Sequence, residues 1–286
     1  MEFKNIVLTG ATSGIGQEIA RVLVKSNNRL WLIVRNHERI KDLQTDLLMI
    51  NPRGKLEFII ADLSLVSAAI NAAQTISEKA DKVDVIINNA GGIYEEKLTT
   101  SEGMETTMVT NYLSHYALTQ NLIDKLAKSD DARIINIGSE MYRMNDWNDD
   151  LMFENKPYEM AKAYANTKLA LIYYTQWLAE NYKVKNIKAN CIHPGMVDTG
   201  FAANNEGWIK YGMNIIRPFI ISAEKAALPI IDLALNEKFK ETTGEYFKRN
   251  KQSEVSTEAT NKAAIEQLIV LSNNWVEKAM KSNKEE

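Results

Sequence analysis

Short apolar runs alternate along this chain with longer segments in which apolar residues recur at helical spacing. The short runs are rich in Val, Ile and Leu, which is typical of strands buried on both faces of a sheet. The longer segments have the pattern of amphipathic helices. We predict strands at Ile6–Thr9, Leu30–Val34, Leu56–Ala61, Val83–Ile87, Arg133–Ile137 and Lys188–Ile192, with a shorter one near Gly244–Phe247.

Helices are predicted between these strands and after the last one. Alternating strands and helices require right-handed crossovers, which place helices on both faces of a parallel sheet. We therefore predict one doubly wound α/β domain over residues 1–286, with a mostly seven-stranded parallel sheet flanked by helices. The predicted helices are Gly16–Lys25, Glu38–Met49, Ala68–Lys79, Glu102–Lys128 and Tyr158–Tyr182, with a C-terminal helical extension in residues 254–286.

Two segments interrupt this alternation. Met141–Pro157 is polar and rich in aspartate, and we interpret it as a long loop. Residues 201–222 contain Trp208 and Tyr211 before the apolar run Ile215–Ile221. Long excursions at strand ends of α/β folds are often functional. Three interpretations of residues 201–222 stay open: a lid over a substrate, an ordinary core helix, or a membrane-surface segment.

The composition narrows the class of protein. With 286 residues, 45% hydrophobic and 25% charged, the chain has the composition of a globular protein, and a net charge of −3 gives no basic surface for nucleic acid. The single cysteine, Cys191, excludes an internal disulfide, and the three histidines lack metal-ligand spacing. No apolar stretch approaches the roughly 20 residues of a transmembrane segment, and the first strand begins almost at Met1. We expect a cytoplasmic protein without a metal.

A glycine-rich segment, Thr9-Gly10-Ala11-Thr12-Ser13-Gly14-Ile15-Gly16, lies between the first predicted strand and helix. Glycines permit a tight turn and a close approach of the backbone to a pyrophosphate, and a helix N-terminus offers free amides. The spacing is Gly-x-x-x-Gly-x-Gly rather than the commoner Gly-x-Gly-x-x-Gly. The order of strand, turn and helix favours a Rossmann-type dinucleotide site over a tight turn without a ligand.

Tyr164 and Lys168 lie four residues apart in a predicted helix, so their side chains share one face. An ammonium beside a phenol stabilises the phenolate, which makes such a tyrosine usable as a proton donor and acceptor near neutral pH. The same pair is common on solvated helices, and its meaning depends on the motifs upstream.

Several further motifs follow one another in a fixed order: Asp62-Leu63, Asn88-Asn89-Ala90-Gly91, Asn111, Ser139, Tyr164-x-x-x-Lys168, and His193-Pro194-Gly195 with Val197-Asp198-Thr199. Together with the glycine turn, this ordered set resembles the short-chain dehydrogenase/reductase family over roughly residues 4–250. The resemblance implies an oxidoreductase that binds NAD(P) and interconverts alcohols and carbonyls.

The resemblance also implies which residues bind the cofactor. The isolated motifs have alternatives, since Asp62 could cap a helix and Asn88-Asn89 could form a simple turn. The implied contacts are Gly10, Ser13, Gly14, Ile15 and Gly16 at the pyrophosphate and ribose, Asp62 and Leu63 at the adenine, Asn88, Ala90 and Gly91 along the adenosine ribose, Lys168 and Tyr164 at the nicotinamide ribose, and Pro194, Gly195, Val197 and Thr199 at the nicotinamide.

Four residues are implied to carry the chemistry. Tyr164 would be the acid in reduction and the base in oxidation, and Lys168 would stabilise its phenolate. Ser139 follows a predicted strand and would hydrogen-bond the substrate oxygen, although a turn or cap serine is the alternative. Asn111 is a poor helix former inside a predicted helix, and in the family this residue holds a water that connects Lys168 to solvent.

Arg35 bears on the choice of cofactor. An NAD-preferring site usually has an acidic residue at the end of the second strand, where this chain reads Val34-Arg35-Asn36. The guanidinium of Arg35 can bind a 2′-phosphate, which favours NADP over NAD. The alternative is a surface arginine paired with Glu38 or solvent.

The spacing of 25 residues from Ser139 to Tyr164 (164 − 139) resembles the retinol-dehydrogenase and protochlorophyllide-reductase branch of the family. We therefore expect a small-molecule carbonyl or alcohol substrate of medium to large apolar character. The alternative function is a regulator that senses NADP with little or no catalysis. A homodimer or a tetramer is compatible with the sequence.

Overall fold

A parallel sheet forms the centre of the computed structural model, which describes residues 3–144, 147, 150–197 and 220–282. The strands in these ranges are β1 (Asn5–Thr9), β2 (Arg29–Val34), β3 (Lys55–Ile60), β4 (Val85–Asn88), β5 (Ala132–Ile137), β6 (Ile187–His193), β7 (Met196–Val197), β8 (Ile220–Ile221), β9 (Tyr246–Lys248) and β10 (Lys251–Gln252).

The strand order of the main sheet is β10-β9-β6-β5-β4-β1-β2-β3. Within the described ranges every pair in it is parallel except β9 with β10, which a tight turn joins as an antiparallel edge. The predicted mostly seven-stranded parallel sheet is confirmed, with one short strand added. The order reverses between β1 and β4, and in open α/β sheets a ligand binds outside the carboxyl ends of the strands at such a point.

Helices cover both faces of the sheet, as the alternating pattern predicts. A π-helical turn, Val109–Leu113, separates α4 from α5, and short 3₁₀ turns occupy Glu140–Met144, Lys183–Lys185, Glu237–Phe239 and Glu258–Thr260. The α-helices of the described ranges are α1 (Gly14–Leu23), α2 (Glu38–Ile50), α3 (Val66–Lys79), α4 (Thr106–Met108), α5 (Ser114–Leu126), α6 (Met160–Asn181), α7 (Ala223–Leu235) and α8 (Lys262–Ser282).

Two buried glutamates decide where neighbouring helices begin. Glu102 accepts hydrogen bonds from the amides of Val66 and Ser67 at 2.7 and 2.9 Å, so it caps α3. Glu105 accepts from the amides of Thr107 and Met108, both at 2.7 Å, so it caps α4. The helix predicted from Glu102 therefore begins at Thr106, and Glu102 lies outside it.

Alternate strand residues supply two separate cores, as the two-residue period of a strand requires. Ile6 and Leu8 of β1 belong to the core under α1, α2 and α7, whereas Val7 belongs to the core under α3, α5 and α6. This burial holds the carboxyl edge of the sheet rigid beneath the motifs that follow the strands.

The C-terminal extension packs against the middle of the chain. The hydroxyls of Tyr112 and Ser272 are 2.8 Å apart, and the hydroxyl of Tyr116 donates to Asn273 Oδ1 at 2.7 Å. Helix α8 thus packs against the π-helical turn and the first turn of α5. Among the helices of the described ranges, none combines enough length and apolarity to cross a membrane.

Residues 201–222, for which a lid, a core helix and a membrane-surface segment are the open interpretations, fall mostly outside the described residues, because these resume at Ile220. Ile220–Ile221 form β8, which pairs in parallel with β7. The hydroxyl of Ser222 accepts from the amide of Lys225 at 3.3 Å and caps α7. The choice among the three interpretations stays open.

Candidate active site

The glycine turn brings β1 and α1 into close contact. A Cβ atom on Gly16 would lie 2.1 Å from the carbonyl oxygen of Gly10, and a Cβ on Gly10 would lie 3.0 Å from Ala90 Cα. Gly14 opens α1 with a φ of +53° and has open space where its Cβ would project. Ser13 is the exposed N-cap residue. The turn therefore leaves room and helix N-terminal amides for a dinucleotide pyrophosphate.

The end of β4 is fastened to this turn by Thr9. The amides of Asn89 and Ala90 donate to Thr9 Oγ1 at 2.9 and 2.8 Å, and Asn89 Nδ2 donates to the carbonyl of Thr9 at 2.9 Å. Ala90 and Gly91 thus face the cleft beside the turn. The role of Thr9 was not predicted, although Thr9 is the first residue of the motif.

Asn88 is turned away from the cleft. Its Nδ2 donates to Asn136 Oδ1 at 2.8 Å and to Thr119 Oγ1 at 3.2 Å, and Asn136 Nδ2 donates to Thr175 Oγ1 at 2.9 Å. This chain of buried side chains links β4, β5 and α6. Any contact between Asn88 and a cofactor would therefore involve its backbone.

Arg35 and Asp62 follow the neighbouring strands β2 and β3 at the same edge of the sheet. Both are exposed, and Asp62 Oδ1 accepts from the amide of Ser64 at 2.9 Å instead of capping α3. Arg35 forms no ion pair with any described residue, Glu38 included, so its guanidinium faces solvent. Leu63 is buried, and its carbonyl accepts from the hydroxyl of Ser114 at 2.7 Å.

Asn111 lies in the π-helical turn between α4 and α5. Turns of this kind inside α-helices are rare and occur frequently at functional sites. Its Oδ1 accepts from the amide of Gly92 at 2.7 Å, and its Nδ2 donates to the carbonyl of Gly92 at 2.8 Å and to Thr167 Oγ1 at 3.3 Å. Thr167 in turn donates to the carbonyl of Tyr164 at 2.7 Å. The side chain of Asn111 therefore connects the loop after β4 to the turn of α6 that carries Tyr164.

Lys168 and Tyr164 share the inner face of α6. Lys168 is 5% exposed, and its Nζ lies 5.2 Å from the centre of the Tyr164 ring. The Nζ donates to the carbonyl of Ile137 at 2.9 Å. This bond satisfies one of the hydrogen-bond donors of the buried ammonium. The structure thus brings the predicted pair to the carboxyl end of β5, directly before Ser139.

Ser139 is the second residue after β5, and Gly138 lies between the strand and this serine. A Cβ on Gly138 would lie 2.6 Å from Cys191 Sγ, so a larger residue would push the strand end outward. Ser139 Oγ accepts from the amide of Met141 at 3.3 Å, so the hydroxyl also starts the following 3₁₀ turn. Burial raises the pKa of the Cys191 thiol to about 12, which leaves it unreactive.

The segment after β6 completes the edge of the cleft. Pro194 is buried, and Gly195 has a φ of +108°, with its Cβ position only 3.0 Å from Ile221 Cδ1. Val197 lies in β7, where it pairs with Ile221. The prediction for Thr199 falls outside the described residues.

Comparisons with known proteins agree with this architecture. The model of the short chain dehydrogenase family matches residues 4–210. Retinol dehydrogenase 13 of Mus musculus is 29% identical over 96% of this chain and 83% of its own length. The human WW domain-containing oxidoreductase is 27% identical over 98% of this chain and 69% of its own length. The predicted resemblance to the retinol dehydrogenases is confirmed.

Solved structures show the same fold. The active-site complex of RhlG with NADP from Pseudomonas aeruginosa has a TM-score of 0.68 at 28% identity and covers 86% of this chain and 94% of its own. An uncharacterised protein from Mycobacterium paratuberculosis has a TM-score of 0.76 at 23% identity, covering 96% of this chain and 93% of its own. The chain belongs to the short-chain dehydrogenase family and is an oxidoreductase of alcohol and carbonyl groups.

Proposed function

We propose that this protein uses NADP(H) to interconvert a carbonyl and an alcohol on a medium-to-large apolar substrate, with Tyr164 as the acid and base. The observation that carries the proposal is the position of the buried Lys168 ammonium, 5.2 Å from the centre of the Tyr164 ring. A positive charge beside the ring, shielded from bulk water, can stabilise negative charge that develops on the Tyr164 oxygen while the proton is transferred.

The residues of the cleft have different roles in the proton transfer. When bound, NADP(H) supplies or accepts the hydride at carbon. In reduction, Tyr164 gives its phenolic proton to the substrate oxygen, and Ser139 donates a hydrogen bond that stabilises the charge developing there. In oxidation, the phenolate of Tyr164 takes the alcohol proton, and Lys168 stabilises that phenolate.

Asn111 would serve the return of the proton from solvent to Lys168. Its side-chain amide is fully engaged with Gly92 and Thr167. A water held by Asn111 would therefore bind its backbone carbonyl, which has two lone pairs. This refines the role that the family resemblance implies for the residue.

The preference for NADP is supported by Arg35 at the end of β2. Its guanidinium is exposed and has no ion-pair partner among the described residues. Binding of a 2′-phosphate would therefore not break an existing ion pair.

The apolar substrate is supported by relatives. Retinol dehydrogenases 12, 13 and 14 are among them, and retinol, the substrate in their name, is a long apolar alcohol. The cytoplasmic location and a homodimer or tetramer belong to the same proposal, with the single buried thiol Cys191 as support for a reducing compartment. Cell fractionation and light scattering test these two points.

The test is a screen of NADPH oxidation against aldehydes and ketones of increasing apolar length, retinaldehyde included. Tyr164→Phe should lower kcat by at least about a thousandfold and leave the Kd for NADPH within about threefold. Tyr182→Phe is the matched control at the far end of α6, where the hydroxyl bonds Gln120 at 2.8 Å outside the cleft. Retained turnover in Tyr164→Phe rejects the mechanism. Tight NADPH binding by the wild type without turnover of any substrate favours the alternative, an NADP-sensing regulator.

A further inference from the structure

A buried histidine lies directly beneath the cleft and contacts two parts of it. His115 is 1% exposed. Its Nε2 is 3.1 Å from Thr9 Oγ1, and its Nδ1 is 3.1 Å from the carbonyl oxygen of Asn111. Its ring therefore spans the gap between the strand that ends in the glycine turn and the π-helical turn of Asn111.

The directions of these bonds follow from the partners of Thr9. The hydroxyl oxygen of Thr9 accepts from the amides of Asn89 and Ala90, and an amide can only donate. A hydroxyl has two acceptor lone pairs and one hydrogen, so the hydrogen of Thr9 is directed to Nε2 of His115. Nε2 therefore accepts, and Nδ1 carries the proton that is donated to Asn111. The surroundings select one neutral tautomer.

The electrostatic surroundings keep the ring neutral. Burial, with a smaller contribution from the nearby charge of Lys168, lowers the pKa of His115 to about 4. A protonated ring would place a second donor against the hydroxyl hydrogen of Thr9. The neutral ring thus matches both partners over the whole neutral range of pH.

We infer that His115 is a positioning residue that orients the carbonyl of Asn111 and joins it to the glycine turn through Thr9. This role rests on the proposed function, in which the carbonyl of Asn111 holds the water that serves Lys168. The hydrogen-bond chain runs from the Asn89 and Ala90 amides through Thr9 and His115 to Asn111. A displacement of the cofactor-facing loop is thereby coupled to the carbonyl beside the proton route.

Two substitutions test the two hydrogen bonds of the His115 ring separately. In His115→Asn, the side-chain amide can still donate from the position of Nδ1 but does not reach Thr9. In His115→Gln, the longer side chain can still accept from Thr9 near the position of Nε2 but gives up the donor to Asn111. We expect His115→Asn to weaken NADPH binding about tenfold with kcat nearly retained, and His115→Gln to lower kcat about tenfold with the Kd for NADPH nearly retained.

The measurements are the Kd for NADPH by fluorescence titration and kcat for the best carbonyl from the screen. A purely structural histidine would shift both quantities together in both variants, with a matching loss of thermal stability, and that outcome overturns the inference. Unchanged values in both variants overturn it as well.

A third measurement needs no variant and no turnover. The ¹⁵N shifts and couplings of the His115 ring in the wild-type protein report which nitrogen carries the proton. The Nδ1–H tautomer is the expected result, and the Nε2–H tautomer or a ring protonated at pH 7 overturns the inference. If the tautomer and the Kd effect of His115→Asn are found while no carbonyl is turned over, the proposed function fails and the link through Thr9 stands.

Discussion

Asn111 and Gly92 exchange two hydrogen bonds: Asn111 Oδ1 accepts from the amide of Gly92 at 2.7 Å, and Asn111 Nδ2 donates to its carbonyl at 2.8 Å. The same side chain crowds the preceding residue, since a Cβ on Gly91 would lie 2.9 Å from Asn111 Oδ1. The loop after β4 is thereby held against the π-helical turn. A buried amide bonded in both directions cannot be replaced by a group that only accepts.

Asn111→Asp keeps the size of the side chain and removes its donors. The carboxylate would face the carbonyl of Gly92, so we expect the free energy of unfolding to fall by about 1–3 kcal/mol and kcat to fall with it. Urea unfolding and steady-state kinetics measure the two effects. Asn71→Asp, the same change on the exposed face of α3, is the control, and an equal loss in both variants would contradict the assigned role.

Arg35→Asp tests the choice of cofactor. Loss of a charge-assisted bond to the 2′-phosphate, and the addition of a like charge, should raise the Kd for NADPH at least about tenfold and improve binding of NADH. Fluorescence titration with both cofactors gives the ratio of the Kd for NADPH to the Kd for NADH. Arg53→Asp makes the same charge change in the exposed loop before β3 and should leave the ratio unaltered. An unchanged preference for NADPH over NADH in Arg35→Asp would contradict the NADP assignment.

Gly16→Ala tests the close contact of the glycine turn. The new Cβ would lie 2.1 Å from the backbone oxygen of Gly10, which cannot rotate away as a side chain can. We expect weaker NADPH binding and lower thermal stability. In Gly54→Ala the new Cβ would also be crowded, with Val24 Cγ2 at 2.8 Å, but Val24 lies at the opposite end of α1 from the glycine turn. NADPH affinity should therefore survive in that control, and equal affinities in both variants would count against the turn as a pyrophosphate site.

The stability of the fold should depend on pH through His115. Burial lowers the pKa of this histidine to about 4 in the folded state, against about 6.5 in the unfolded chain. Its contribution is complete above the unfolded value and is lost as the pH falls from about 6.5 towards 4, because the unfolded state then binds the proton. Between pH 7.5 and 5.0 the wild type should lose about 2 kcal/mol that His115→Gln does not lose.

Urea unfolding of both proteins at the two pH values isolates this contribution. The pKa of His193 is also lowered by burial, but His193 is present in both proteins and cancels in the difference. Parallel losses in the wild type and in His115→Gln would show that His115 does not titrate in this range.

The sequence by itself determined the order of elements, the parallel sheet and the positions of the motifs. These features depend on local periods and on spacings within short segments, such as the four residues from Tyr164 to Lys168. The glycine turn was predictable for the same reason, since strand, turn and helix follow directly in the chain.

The tertiary structure decided which partners the polar side chains take. The side chain of Asn88 bonds to Asn136, so the contact with the adenosine ribose that the resemblance implies for Asn88 would fall to its backbone. His115 lies four residues after Asn111 on the same helical face, which was the only signal in the chain for their contact. Its other partner, Thr9, is 106 residues away. Such bonds depend on how strands and helices pack together, which brings distant residues into contact, and no local pattern of residues encodes which distant side chains meet.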